Sequence, residues 1–147
     1  MSGQLLLLAG LPGCGKTTYV KELERDGWVA FDDFKACATN DSAKFAHSRH
    51  YEALLGALRE GRRCVVADID FCTSKGRGEA ERALRSGASG VTFRWCFFAN
   101  DPDACESNIR HRNRAALDRD LSKMREYAAT YVIPDGAEVR SVRKAQA

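Results

Sequence analysis

Nine residues near the start of the chain, Gly10-Leu11-Pro12-Gly13-Cys14-Gly15-Lys16-Thr17-Thr18, carry the spacing G-x-x-x-x-G-K-[ST] at every fixed position. Each residue type there has a chemical reason. Glycines at 10, 13 and 15 let the main chain curl and approach an anion without Cβ clashes. The amides of Gly13 to Thr17, Cys14 among them, then point into one concavity that suits a di- or triphosphate. A helix starting near Lys16 adds free N–H groups and the positive end of its dipole. Lys16 reaches the β- and γ-phosphates, Thr17 offers its hydroxyl to Mg²⁺, and Thr18 reaches a phosphate nearer the nucleoside.

Transfer of a γ-phosphoryl group needs a held triphosphate, positive charge around the moving group and an oriented nucleophile. Asp32 and Asp33 are the candidates for a carboxylate beside the attacking oxygen. A pair of acids at a strand end is often only a turn; beside a phosphate loop it becomes a candidate base. Asp68 ends the apolar run Cys64-Val65-Val66-Ala67, where an acid commonly holds Mg²⁺ directly or through water. Asp70 could do the same or bind an acceptor. Arg110, Arg112 and Arg114 supply positive charge, and arginine suits forked contacts with phosphate oxygens. The alternative for that cluster is a solvated helix end, which also suits the helix dipole. His47, Arg49 and His50 read as an exposed helix face.

The elements that must position these groups follow from apolar spacing. Leu5 to Leu8 read as a buried strand and Thr17 to Arg25 as a helix with Val20 and Leu23 inward. Trp28 to Phe31, Cys64 to Ala67, Val91 to Phe98 and Ala137 to Val142 read as further strands. Helices are predicted over 43–59, with Ala46, Ala53, Leu54, Ala57 and Leu58 inward, and over Glu79 to Arg85. Another begins at Pro102, with Ala104, Cys105, Asn108 and Ile109 on one side. A last one carries the stripe Leu117, Leu121, Met124, Ala128 and Tyr131. Such alternation gives a parallel sheet covered on both faces. Ligands of such sheets sit beyond the carboxyl ends of the strands. The phosphate loop, Asp32/Asp33 and Asp68/Asp70 all follow strands, so they are predicted to converge on one crevice.

The chain has 147 residues and a formal charge of +3, which fits one domain and neither demands nor excludes a nucleic-acid partner. Six cysteines form no C-x-x-C pair and read as reduced thiols of a cytoplasmic protein. Cys14 differs in standing at a helix start, where a thiolate is favoured. The apolar run Leu5 to Leu11 is too short to span a bilayer, and no basic residue precedes it as in a signal peptide. A regulatory GTPase is disfavoured because no N-K-x-D or D-x-x-G pattern is present. A mechanical ATPase subunit is disfavoured because Ile69, not Glu, follows Asp68.

Together Gly10 to Thr18, Asp32-Asp33-Phe34-Lys35, Asp68 after a strand and the arginine-rich helix end resemble the small P-loop kinases related to the 5′-polynucleotide kinases. Zeta toxins and chloramphenicol phosphotransferase share the broader plan. The resemblance implies a single α/β domain over residues 1–147, a P-loop NTPase three-layer sandwich. Its five-stranded parallel sheet would have the order 2-3-1-4-5, with helices on both faces. It implies ATP and Mg²⁺ as cofactors, bound by Gly10, Gly13 to Thr18 and Arg110, with Thr17 and Asp68 on the metal. It makes Asp32 the general base, with Lys16 and Arg114 also catalytic. Asp33, Lys35 and Asp70 would bind the acceptor, and residues 110–119 would form a short lid. A small-molecule acceptor is favoured, since acids flank the few basic residues and aromatics are scattered; a nucleic-acid 5′ end is the alternative.

Overall fold

Four consecutive leucines cannot alternate between a wet and a dry face, so Leu5 to Leu8 need cover on both sides. In the computed structural model, which describes residues 3–32, 51–112 and 115–144, they lie fully inside strand β1 (Gln4–Ala9). Four more strands join it: β2 (Val29–Asp32), β3 (Arg63–Ala67), β4 (Thr92–Phe98) and β5 (Glu138–Arg140). Their order is β2-β3-β1-β4-β5, and every neighbouring pair is parallel. This is the sheet of the P-loop NTPases, as the resemblance implied.

Side chains of β1 part to the two faces with the period of a strand. Leu6 and Leu8 meet Val20 of α1 (Lys16–Arg25) on one face, with Val65, Ala67 and Cys96 beside them. Leu5, Leu7 and Ala9 join the larger core on the other face. That core receives α2 (Tyr51–Arg59), α3 (Ser74–Gly87), α4 (Pro102–Arg112) and α5 (Leu117–Ala128). Tyr131, just past α5, is buried; its hydroxyl donates to Phe98 O at 2.5 Å and lies 3.4 Å from Ala9 O. It therefore bridges the ends of β1 and β4 beside the phosphate loop.

Several local expectations shift. The first half of the helix predicted over 43–59, with Ala46, His47, Arg49 and His50, lies outside the described residues, as does Cys37. In its described part, Ala53 is exposed, and Tyr51, Leu54, Leu55 and Leu58 face inward. Helix α3 starts at Ser74, five residues before the predicted Glu79. The Thr73 hydroxyl caps it by accepting from Gly76 N at 3.0 Å, which offsets the glycines at 76 and 78. The last strand is only three residues long. Cys14, Cys64, Cys72, Cys96 and Cys105 are free, buried thiols. Burial pushes Cys64 and Cys72 up to about 11, and Cys96 and Cys105 up to about 12.

Candidate active site

Strand register brings the separated motifs to one edge. Leu8 of β1 pairs with Ala67 of β3, and Ala67 pairs with Asp32 of β2. Asp68 is therefore the first residue past β3, level with the start of the phosphate loop. The backbone of Asp32 ends the next strand out. With strands about 4.8 Å apart, the three chain segments leave the sheet within roughly 10 Å of one another.

The loop itself needs its glycines. Gly13 and Gly15 have φ of 86° and 102°. A Cβ on Gly13 would also lie 2.6 Å from Cys105 O, and one on Gly10 would lie 2.6 Å from Cys14 Sγ. Gly15 is the N-cap of α1, so no side chain caps the helix and no acid stands in its first turn. The first amides of α1 are thus left to an anion. One expectation is corrected: the Cys14 amide donates to Leu11 O at 3.1 Å, inside the loop, rather than into the concavity. The Cys14 side chain is buried beneath it. Lys16 Nζ turns back on the loop, donating to Gly10 O and to Leu11 O at 3.2 Å, with Cys14 Sγ at 3.6 Å. Thr17 and Thr18 are exposed on the first turn of α1.

Asp68 caps a single 3₁₀ turn (Ile69–Cys72), its Oδ1 accepting from Asp70 N at 2.9 Å. Asp70 is tied into the same turn, its carbonyl accepting from Thr73 N and Thr73 Oγ1. The Tyr127 hydroxyl of α5 donates to Asp70 Oδ1 at 3.4 Å. Burial, then the Asp70 charge, raises the Tyr127 pKa. The donors that Thr17 and Asp68 offer to a metal are oxygens. Among the described residues no group of three or more His, Cys, Asp or Glu forms a cage. That donor set fits a hard cation such as Mg²⁺, which keeps several waters and relies on phosphate oxygens.

Arg110 is half exposed and paired with Glu106 at 3.0 Å, and Glu106 also takes Arg125 of α5 at 2.8 Å. Hydrogen bonds from Arg125 and then Arg110 lower the Glu106 pKa. Glu106 thus joins α4 to α5 on the outer surface while Arg110 pairs with it within α4, and Arg112, two residues further on, is exposed. Asp33, Lys35 and Arg114 lie outside the described residues.

Two contributors were missed in the sequence. Asn108 Nδ2 donates to Gly13 O at 2.7 Å, and Arg143 N donates to Cys14 O at 3.1 Å. A carboxamide between Cys105 and Ile109 on an otherwise apolar helix face was the available signal for Asn108; Arg143 had none. A cavity of about 270 Å³ between α3, β4 and the turn at 134–137 shares no residue with the phosphate loop.

The chain belongs to the family described as an AAA domain, which matches residues 5–134. No curated protein matches it. Among solved structures it is similar to a gluconokinase from Sinorhizobium meliloti 1021. The TM-score is 0.63 at 16% identity, covering 98% of this chain and 85% of that one. A fungal RNA kinase gives 0.62 at 16% identity, covering 99% and 77%. An APS kinase from Mycobacterium tuberculosis, solved with AMPPNP and APS, gives 0.60 at 16% identity, covering 98% and 91%. The fold is that of the small P-loop kinases. Among the described residues no helix is long and apolar enough to cross a membrane.

Proposed function

We propose that this protein is a cytoplasmic ATP-dependent phosphotransferase that moves the γ-phosphoryl group to a hydroxyl of a small acceptor. The observation that carries this reading is the register of β1, β2 and β3, which sets the phosphate loop, Asp32 and Asp68 at one edge of the sheet. Lys16 exchanges its bonds to the loop carbonyls for β- and γ-phosphate oxygens. Gly10, Gly13, Gly15 and Thr18 line the phosphates. Thr17 and Asp68 would hold Mg²⁺, which would neutralise charge on the phosphates. Asp32 accepts the proton of the acceptor hydroxyl. The acceptor oxygen forms a bond to the γ-phosphorus as the bond to the β–γ bridging oxygen breaks, and ADP leaves. Asp33, Lys35 and Asp70 bind the acceptor. Residues 110–119 act as a lid, with Arg114 on the transferring group and Arg110 on the nucleotide.

Two rings support a small acceptor over a nucleic-acid 5′ end. Tyr51 and Phe71 are buried in the core, so neither offers a platform on which a base could stack. The similar structures include kinases named for gluconate, APS and RNA, so both acceptor classes occur on this fold. A nucleotide-binding ATPase without a dedicated acceptor is the second reading, favoured by the family's description as an AAA domain. One experiment separates all three. The protein is incubated with γ-labelled ATP and either a 5′-hydroxyl oligonucleotide or a panel of hydroxylated metabolites, at low and moderate salt. Label on a metabolite supports the proposal. Label on the oligonucleotide, falling steeply with salt, promotes the polynucleotide reading. Free phosphate without a labelled acceptor leaves the ATPase.

A further inference from the structure

We propose that Asn108 is a positioning residue that sets the peptide planes of the phosphate loop from outside it. The inference deepens the nucleotide site proposed above and rests on that reading for its ligand. Asn108 is buried on the inward face of α4. Its single amide nitrogen donates to two carbonyls, Gly13 O and Arg143 O. Arg143 in turn donates its backbone N–H to Cys14 O at 3.1 Å, and its guanidinium pairs with Glu22 of α1 at 2.6 Å. Two consecutive loop carbonyls, of Gly13 and Cys14, are therefore held by donors outside the loop.

The C=O and N–H of a trans peptide point in opposite directions. Holding Cys14 O against Arg143 turns the Gly15 N–H to the other side of the chain. Holding Gly13 O against Asn108 turns the Cys14 N–H to Leu11 O, where it is found. Free rotation of the Cys14–Gly15 plane would put a carbonyl oxygen where an anion needs a donor, and rotation of the Gly13–Cys14 plane would break the Cys14–Leu11 bond that closes the loop. The glycines that give the loop its shape are gripped by the same two segments. A Cβ on Gly13 would meet Ile109 Cγ1 at 2.8 Å, and one on Gly15 would meet Arg143 Cβ at 2.9 Å. Asn108 thus joins α4, which carries Arg110 and Arg112, to the loop and to the segment after β5.

Asn108→Leu keeps the bulk and removes both donors; Asn108→Ser keeps one donor. Amide exchange of the nucleotide-free protein is measured alongside MgATP titration. The loop and Arg143 amides of Asn108→Leu should exchange about tenfold faster, while β1 and β3 stay as slow as in the wild type. That is the scale of two neutral hydrogen bonds. Its Kd for MgATP should rise about tenfold, with Asn108→Ser between. Unchanged loop exchange and Kd, or an equal rise in exchange at the loop, β1 and β3, overturns the inference. If Asn108→Leu does not fold, Asn108→Ser against wild type decides by the same criteria. Exchange needs no nucleotide, so a wild type that fails to bind MgATP refutes the kinase reading, and the exchange pattern still decides the role of Asn108.

Discussion

The ammonium of Lys16 donates to the carbonyl oxygen of Gly10, six residues earlier in the same loop. The cation holds the loop closed on itself, and in the proposed function phosphate oxygens would take over its bonds. Lys16→Ala should therefore lose most of the thermal stabilisation by MgATP, which for wild type at 100 Kd is about 2.7 kcal/mol. Differential scanning fluorimetry with and without nucleotide reads this directly. A full nucleotide shift in the variant would remove Lys16 from the site.

The two acids at neighbouring strand ends are assigned different work, so their variants should separate. Asp32→Asn should leave MgATP binding intact and lower turnover by about 10²-fold or more. Asp68→Asn should weaken Mg²⁺-dependent binding, seen as a steeper Mg²⁺ requirement in the same titration. Normal turnover by Asp32→Asn would move the base to Asp33 or Asp70.

Arg110 and Arg114 share a helical spacing, but Arg110 is tied to Glu106. Arg114→Ala should cut turnover by about 10-fold or more with little change in ATP affinity, because its proposed contact would form mainly in the transition state. Arg110→Ala should do less, since its exposed ion pair is weak. Steady-state kinetics on both variants checks the order; equal, wild-type turnover in both would reduce the cluster to a solvated face.

Gly76 has no room for a side chain, since a Cβ there would lie 2.0 Å from Asp70 O. Main-chain oxygen cannot swing aside as a flexible side chain can. Gly76→Ala should cost about 1–3 kcal/mol by denaturant titration and weaken Mg²⁺-dependent nucleotide binding, because Asp68 and Asp70 share the displaced turn. A variant as stable as wild type would contradict the packing of α3 on that turn.

Alkali should destabilise the fold in a defined window. Cys64 and Cys72 rise from 9.0 to about 11, and Cys96 and Cys105 to about 12. Above pH 9 the unfolded thiols lose protons that the folded ones keep, so stability falls as pH rises toward 11–12. Urea midpoints from about pH 8 to about pH 10.5 should drop, and Cys96→Ala should flatten the slope. An identical slope in that variant would exclude Cys96 from the effect.

The fold was legible because its signals are local and redundant. Leu5 to Leu8 announce a doubly covered strand, and the glycine pattern after it fixes the turn and the next helix. The early start of α3 was hidden because Gly76 and Gly78 are poor helix formers. Their helical conformation depends on the Thr73 cap and on the close approach of Asp70. The candidate residues of the loop could be picked out from spacing alone. Asn108 and Arg143 could not be assigned a role, since they lie 95 and about 130 residues from the loop they hold. Only the sheet order makes them neighbours.

That order has a consequence for biosynthesis. The strand made first, β1, lies in the middle of the sheet and pairs with β3 and β4, which end at Ala67 and Phe98. Its four leucines leave the ribosome with neither neighbour yet made. At roughly 5–20 residues per second, they wait about 4 to 18 seconds for the second one. Both edges of β1 therefore stay unpaired in the nascent chain until β3 is made, and one until β4 follows, so a chaperone that shields short leucine runs should raise the yield of folded protein.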